Sequence, residues 1–184
     1  NNCDLALHYS VELLKLAMLY GPTPFEHVFI SLYESGSATH DCTAEALLLL
    51  KRTLVALQVP HSIRVNQNSR LPDRARIDFL QEIRNEALNE LYSAEREYNE
   101  VVYLSDTFFC ASDIIRLLRH SDASIKCGID LSVGGGTARF YDSWVAHDMM
   151  GNMFSNNLPF VQDKTSQNAF KEGQVFQVSS CWNG

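Results

Sequence analysis

The sequence predicts an α/β protein, a mixed and mainly parallel sheet flanked by helices. Three observations predict it. Short β-branched and aromatic runs alternate with longer segments whose apolar residues recur every three or four positions. The chain has 184 residues, 46% of them apolar and 20% charged, the size and composition of one folded domain and not of a disordered or fibrous chain. Polar residues gather just beyond the ends of two apolar runs, where open α/β sheets bind their ligands.

In chain order, Leu5 to Tyr20 reads as a helix with Leu7, Val11, Leu14 and Met18 on its apolar stripe, stopped by Gly21-Pro22. His27 to Tyr33 is a buried strand ending in the polar loop Glu34-Ser35-Gly36-Ser37. Thr43 to Val59 is an amphipathic helix with Leu47, Leu50, Leu54 and Leu57 inward, and Asp41 or Thr43 suits its N-cap. Ser62 to Val65 is a short second strand, and Asn66 to Asp73 has loop composition. Arg74 to Glu97 is the longest helix. Its inward positions are Ile77, Leu80, Ile83 or Arg84, Ala87 and Leu91, with Glu82, Glu86, Glu90 and Glu97 outward. Tyr98 to Leu104 is a strand delivering Ser105-Asp106-Thr107, and Ser112 or Asp113 caps a short helix through Arg119. Ile125 to Leu131 fits a strand before the flexible Gly134-Gly135-Gly136, and Gln174 to Cys181 alternates like an antiparallel strand. Alternating strands and helices over the first 120 residues imply parallel pairing through helical crossovers. Residues 1–120 read as one half of the domain and 121–184 as the other.

Fifteen basic against 22 acidic residues give a net charge of −7, with no basic cluster to meet a phosphate backbone, so nucleic acid is not an expected partner. The longest apolar run, Ala46 to Leu50, is far below the ~20 residues of a membrane helix. The chain opens Asn1-Asn2-Cys3 and closes Cys181-Trp182-Asn183-Gly184, which suggests a piece of a longer protein. Cys3, Cys42, Cys110, Cys127 and Cys181 are odd in number and widely spaced. They offer no zinc spacing, and buried thiols are the first expectation, with one or two disulfides as the alternative.

An apolar strand that ends in an aspartate holds a carboxylate rigidly beside a crevice, where a divalent cation can share it with diphosphate oxygens. Asp106 is the candidate metal ligand on this ground. A helix cap or loop acceptor is the ordinary use of such an Asp. Arg84 stands on the inward side of an apolar stripe, where a cation needs an anionic partner such as a phosphate or a buried carboxylate.

Several segments together carry a resemblance. Val28 to Ser37 (VFISLYESGS) resembles the second strand of GT-A-type glycosyltransferases, Glu82 to Leu88 their helical Arg-Asn step, and Val101 to Phe109 their metal-binding strand end. YESGS, Tyr103 to Leu118, CGIDL (Cys127 to Leu131) with Phe140 to Gly151, and SSCWNG (Ser179 to Gly184) are similar, in order, to the fungal capsule-associated α-1,3-mannosyltransferases of glycosyltransferase family 69. The resemblance implies a GT-A-like, Rossmann-like nucleotide-sugar domain that uses GDP-mannose with Mn²⁺ or Mg²⁺ and a mannoside or polysaccharide acceptor. It implies a secretory-pathway or Golgi lumen, and a type II membrane anchor and first sheet strand upstream of Asn1. It also implies roles: Asp106 on the metal; Glu34, Ser35, Ser37, Arg84, Asn85 and Asp130 on the nucleotide sugar; Asp142 positioning sugar at the reaction centre; Trp144, Asp148 and Trp182 on the acceptor side. Ser105 stands where the family more often has Asn, His147 where it has Arg, and a full Asp-x-Asp is absent. These 184 residues alone are expected to be inactive. A non-catalytic glycan-assembly or export factor of the same fold is the competing reading. A metal-dependent hydrolase finds no GxSxG nucleophile to support it.

Overall fold

A parallel strand pair joined through a helix organises the first half of the chain. The computed structural model describes residues 2–19, 27–36, 41–66, 75–93, 97–120, 122–143 and 145–181. Its elements are α1 (Asn2–Leu19), β1 (Ile30–Ser35), α2 (Thr43–Ala56), β2 (His61–Asn66), α3 (Arg76–Ser93), α4 (Ala111–Leu118), β3 (Leu131–Gly134), β4 (Thr137–Phe140) and α5 (Lys164–Lys171). The chain divides into two units, Asn1–Val102 with Phe108–Ile115, and Tyr103–Thr107 with Arg116–Gly184.

In the first unit β1 and β2 pair in parallel, from Ile30 opposite His61 to Ser35 opposite Asn66. Alternation gives the pair two unlike faces. Ile30 and Ile63, with Leu32 against them, join Ala6, Ala17, Ala46, Leu47, Leu50, Leu54 and Val59 in one core with α1 and α2. The other face is polar and meets α3. Ser31 Oγ donates to the Ala87 carbonyl (2.6 Å), Ser62 Oγ to Glu90 (2.9 Å), and Arg64 pairs with Glu86 at 2.8 Å. Arg64 also donates to the Glu86 carbonyl and lies 5.4 Å from the centre of the Tyr33 ring.

The α2 stripe forms as the sequence predicts, with Leu47, Leu50 and Leu54 fully inside. Asp41 accepts from the Thr43 N–H and hydroxyl at its start. Its end comes earlier than expected, because Gln58 takes a left-handed φ of 57°. The Gln58 N–H then bonds Val55 and the Val59 N–H bonds Leu54, closing the last turn.

Several expectations are corrected. On α1 the buried positions are Ala6, Glu12 and Ala17, whereas Leu7, Val11 and Met18 are exposed. The helix approaches α2 through small residues, and that rotates the predicted stripe outward. The inner side of α3 is polar: Ile77 is exposed, no residue of the helix is fully buried, and Glu86 and Glu90 face the sheet instead of solvent. Tyr98 to Leu104 is extended and largely exposed at Val101 and Val102, and pairs with no strand among the described residues. Tyr98 does rest near Phe29, just ahead of β1 (ring centres 6.3 Å apart). In place of one mainly parallel sheet, the described residues form one parallel and one antiparallel pair. A strand needs a neighbour's ladder, and apolar composition alone does not supply one.

In the second unit the glycine run turns a hairpin. Gly135 and Gly136 have φ of 60° and 80°, the positive pair that a two-residue hairpin loop requires. They join β3 and β4 with Leu131 opposite Phe140. Phe140 enters a second core with Ala146, Phe154, Phe160 and Val161. Gln174 to Cys181 contributes a single bridge, between Ser180 and His147, not a strand. Two disulfides, Cys3–Cys42 and Cys127–Cys181, each lie within one unit, and Cys110 is free and exposed. Buried thiols are therefore not the state of four of the five cysteines.

Candidate functional site

The polar groups expected at the strand ends of the first unit fall into place only in part. β1 runs two residues beyond its predicted end, so Glu34 and Ser35 are strand residues opposite Val65 and Asn66. The turn begins at Gly36, whose φ of 87° leaves the strand and whose N–H bonds the Asn66 carbonyl. Glu34 and Ser35 are half-buried there, while Ser37 lies outside the described residues. On α3, Arg84 is half-buried and Asn85 exposed. Tyr33, Arg64 and Asn66 extend the polar face alongside them, and Asn66 Nδ2 donates to the Tyr33 hydroxyl (2.8 Å).

In the second unit three carboxylates converge. Asp130 directly precedes β3, and its carbonyl accepts the Tyr141 N–H (3.0 Å) just past β4. The hairpin thus sets Asp130 at its base, opposite Tyr141 and one residue from Asp142, which lies twelve positions on in sequence. Partial burial first, then the charges of Asp142 and Asp106, push the Asp130 carboxyl above the usual carboxylate range, against the opposing pull of the Leu131 N–H. Asp142 is buried, Asp130 half-buried and Asp106 exposed. Ser105 Oγ donates to Asp106 Oδ1 at 3.0 Å.

Asp130, Asp142 and Asp106 offer hard oxygen donors of the kind Mg²⁺ or Mn²⁺ takes. Their oxygens do not all lie within 4.8 Å of one another. Among the described residues the group that does is Cys3, Asp41 and Cys42, whose two sulfurs are bonded to each other and whose Asp41 already accepts from Thr43. The acidic group of the second unit thus has suitable chemistry without a preformed shell.

Asp148 sits 1% exposed inside a hairpin turn. Its carboxylate accepts from the Met150 and Asn152 N–H groups (2.9 Å each) and from Asn152 Nδ2. The Asn152 side chain foremost, with these amides, holds its pKa below the usual range. This geometry closes the turn around Gly151 (φ 82°). His147 Nδ1 lies 2.9 Å from Ser180 Oγ and from the Val145 carbonyl, tying the same turn to the segment of Cys181. Trp144 and Trp182 lie outside the described residues.

The family described as cryptococcal mannosyltransferase 1 matches residues 1–184. The chain belongs to this family. It is 28% identical over 208 residues to the α-1,3-mannosyltransferase CMT1 of Cryptococcus neoformans var. neoformans serotype D (strain JEC21 / ATCC MYA-565), an alignment covering 100% of this chain and 44% of that protein. The chain therefore spans less than half the length of this relative. No solved structure matches it. The resemblance stated from the motifs is thus borne out at the level of the family.

Sequence reasoning listed Asp106, Asp130 and Asp142 separately and missed that the last two share a hairpin base. The signal was present in Gly135-Gly136 between two four-residue β runs. It also missed α5, although Asp163 accepts from the N–H groups of Thr165 and Ser166 and Gly173 (φ 67°) ends the helix. Both are ordinary start and stop signals. Glu12 was passed over entirely, because its partner lies 99 residues away.

Proposed function

We propose that this chain forms the donor-binding part of a GT-A-like, metal-dependent mannosyltransferase. The full protein moves mannose from GDP-mannose onto a mannoside or polysaccharide acceptor in α-1,3 linkage, with retention of configuration. One observation carries the reading: in a chain of this family the β3–β4 hairpin sets Asp130 opposite Tyr141, one residue from Asp142, and burial first, then the charges of Asp142 and Asp106, raises the Asp130 pKa. The parallel β1-α2-β2 crossover supports a nucleotide-binding fold.

Asp106 is the principal ligand of Mn²⁺ or Mg²⁺, with Asp130 the nearest supporting acid. A cation bound there offsets the charge that develops on the departing diphosphate. Within the first unit, Glu34 and Ser35 are the candidates for the guanine or ribose, and Arg84 with Asn85 for a phosphate. Asp142 positions the sugar hydroxyls, and Trp144 and Trp182 are the candidate residues for the acceptor side. Retention needs no dedicated carboxylate base, because the leaving diphosphate takes the proton from the incoming hydroxyl on the same face.

No helix among the described residues is long and apolar enough to cross a membrane, and the reading assigns anchoring to another part of the protein. The two disulfides support an oxidising, Golgi or secretory lumen.

Full-length protein incubated with GDP-[¹⁴C]mannose, Mn²⁺ and an α-mannoside acceptor tests the proposal. Labelled disaccharide is expected, falling at least ~100-fold in Asp106→Ala, the scale of losing a principal electrostatic stabiliser. Unchanged transfer by that variant would overturn the role of Asp106. Donor binding without turnover in the native protein would instead favour the non-catalytic assembly factor.

A further inference from the structure

Two consecutive peptide carbonyls in the middle of α3 accept hydrogen bonds from the facing sheet. Arg64, on β2, donates to the Glu86 carbonyl, and Ser31 Oγ, on β1, donates to the Ala87 carbonyl at 2.6 Å. Mid-helix carbonyls already serve the helix's own ladder, so these bonds use the second lone pair of each oxygen. The Glu86 carboxylate takes the other arm of the Arg64 guanidinium at 2.8 Å. One turn further on, Ser62 Oγ donates to the Glu90 carboxylate at 2.9 Å. Arg64 is itself held in place. Its guanidinium lies 5.4 Å from the ring centre of Tyr33, its register partner on β1, and Asn66 Nδ2 donates to the Tyr33 hydroxyl at 2.8 Å.

Apolar packing does not set where α3 stands, because no residue of the helix is fully buried. An apolar stripe can slide by changing rotamers, whereas a hydrogen bond to a backbone carbonyl is directional and tied to the helix axis. The Arg64–Glu86 ion pair is about a third exposed at both ends, 37% and 36%, and pairs of that kind are weak. The two carbonyl bonds are therefore what fix the register. Arg84 and Asn85 lie within three residues of both accepting carbonyls, on the same helical backbone.

We infer that Arg64, together with Ser31, is a positioning residue: it fixes the rotation and height of α3 over the β1–β2 pair, and so fixes where Arg84 and Asn85 meet a phosphate of the donor. The inference rests on the reading of Arg84 and Asn85 as phosphate-binding groups. Every contact it uses lies within the first unit. The role needs a guanidinium, since one arm reaches the carboxylate while the other reaches the carbonyl. The single ammonium of lysine does not reproduce that fork.

The test uses full-length protein and three readouts: amide hydrogen exchange of the peptide 82–91, GDP affinity by calorimetry, and donor KM beside kcat in the transfer assay. Arg64→Ala is expected to speed exchange in 82–91 while residues 43–56 of α2 stay protected. It should weaken GDP binding about tenfold, the scale of one lost charge-assisted hydrogen bond. Donor KM should rise by a similar factor with kcat nearly unchanged, whereas a merely structural residue would lower the active fraction, and with it kcat, at constant KM. Arg64→Lys should recover only part of the affinity. Glu86→Gln leaves the backbone carbonyl in place and should stay within about threefold of native on every readout. Ser31→Ala removes only the second carbonyl bond. It should move all three readouts the same way by a smaller factor, and it judges the clamp if Arg64→Ala fails to fold. Native exchange in 82–91 or native GDP affinity in a folded Arg64→Ala protein would overturn the positioning role, as would a loss in Glu86→Gln as large as that in Arg64→Ala. Unchanged GDP affinity in Arg84→Ala would instead overturn the phosphate reading of that residue, and exchange in 82–91 would still decide whether Arg64 holds α3.

Discussion

Asp130 concentrates an opposition between folding and binding in one side chain. Its folded pKa is raised by burial and by Asp142 and Asp106. Ionising it therefore costs stability once the pH rises above the usual carboxylate range of about 4, while a cation gains from the same ionised form. Asp130→Asn should consequently keep or raise the melting temperature at pH 7 and lower Mn²⁺-dependent transfer by roughly tenfold or more. Calorimetry beside the radiolabel assay checks both halves, and a clear drop in melting temperature would contradict the electrostatic account. Each of these aspartates is evident in the sequence as a polar residue beside an apolar run. Their mutual influence is not, because it depends on distances between residues 24 and 12 positions apart along the chain.

Elements, more than single residues, decide where those acids stand. The β3–β4 hairpin sets Asp130 opposite Tyr141 and next to Asp142, and the hairpin depends on Gly135 and Gly136 at positive φ. An added Cβ at Gly136 would meet nothing within 4 Å, so the cost of a side chain there is conformational, not steric crowding. Gly136→Val should lose about 1–2 kcal/mol of stability for the left-handed backbone alone, measured by urea unfolding. Transfer should fall as the pair at the hairpin base spreads, whereas Gly134→Ala, at a strand position without positive φ, should change little. The α2 helix was legible because a single amphipathic stripe dominates it. The inner side of α3 was not, because Ser31, Ser62 and Arg64 reverse the usual rule and make a polar sheet face its partner.

At the scale of the molecule, two small units each have their own apolar core and their own disulfide. Each crosslink closes a loop, of 39 and 54 residues, and restricts the unfolded chain by about 4 kcal/mol in the loop-entropy model. Glu12, Asp148 and Asp163 all have lowered pKa values, from hydrogen bonds to Lys15, Asn152 and Ser166 foremost. Their stabilisation is complete above the usual carboxylate range and is lost as the pH falls through the lowered folded values. Asp130 runs the other way, its cost vanishing as it takes up a proton. Three against one, the melting temperature should stay level from neutral pH to about 5 and fall below about 4. A melting temperature that rose steadily toward pH 3 would refute this assignment of partners.

Composition, periodicity and ordered motifs by themselves determined the α/β class, four of the five described helices and the family, because these follow from local chemistry repeated along the chain. The tertiary structure alone decided which strands find partners, which cysteines bond, that a remote Glu12 caps α4, and that Asp106, Asp130 and Asp142 share a neighbourhood. Pairing, crosslinking and electrostatic coupling are functions of distance in space, and a linear order of residues does not contain that distance.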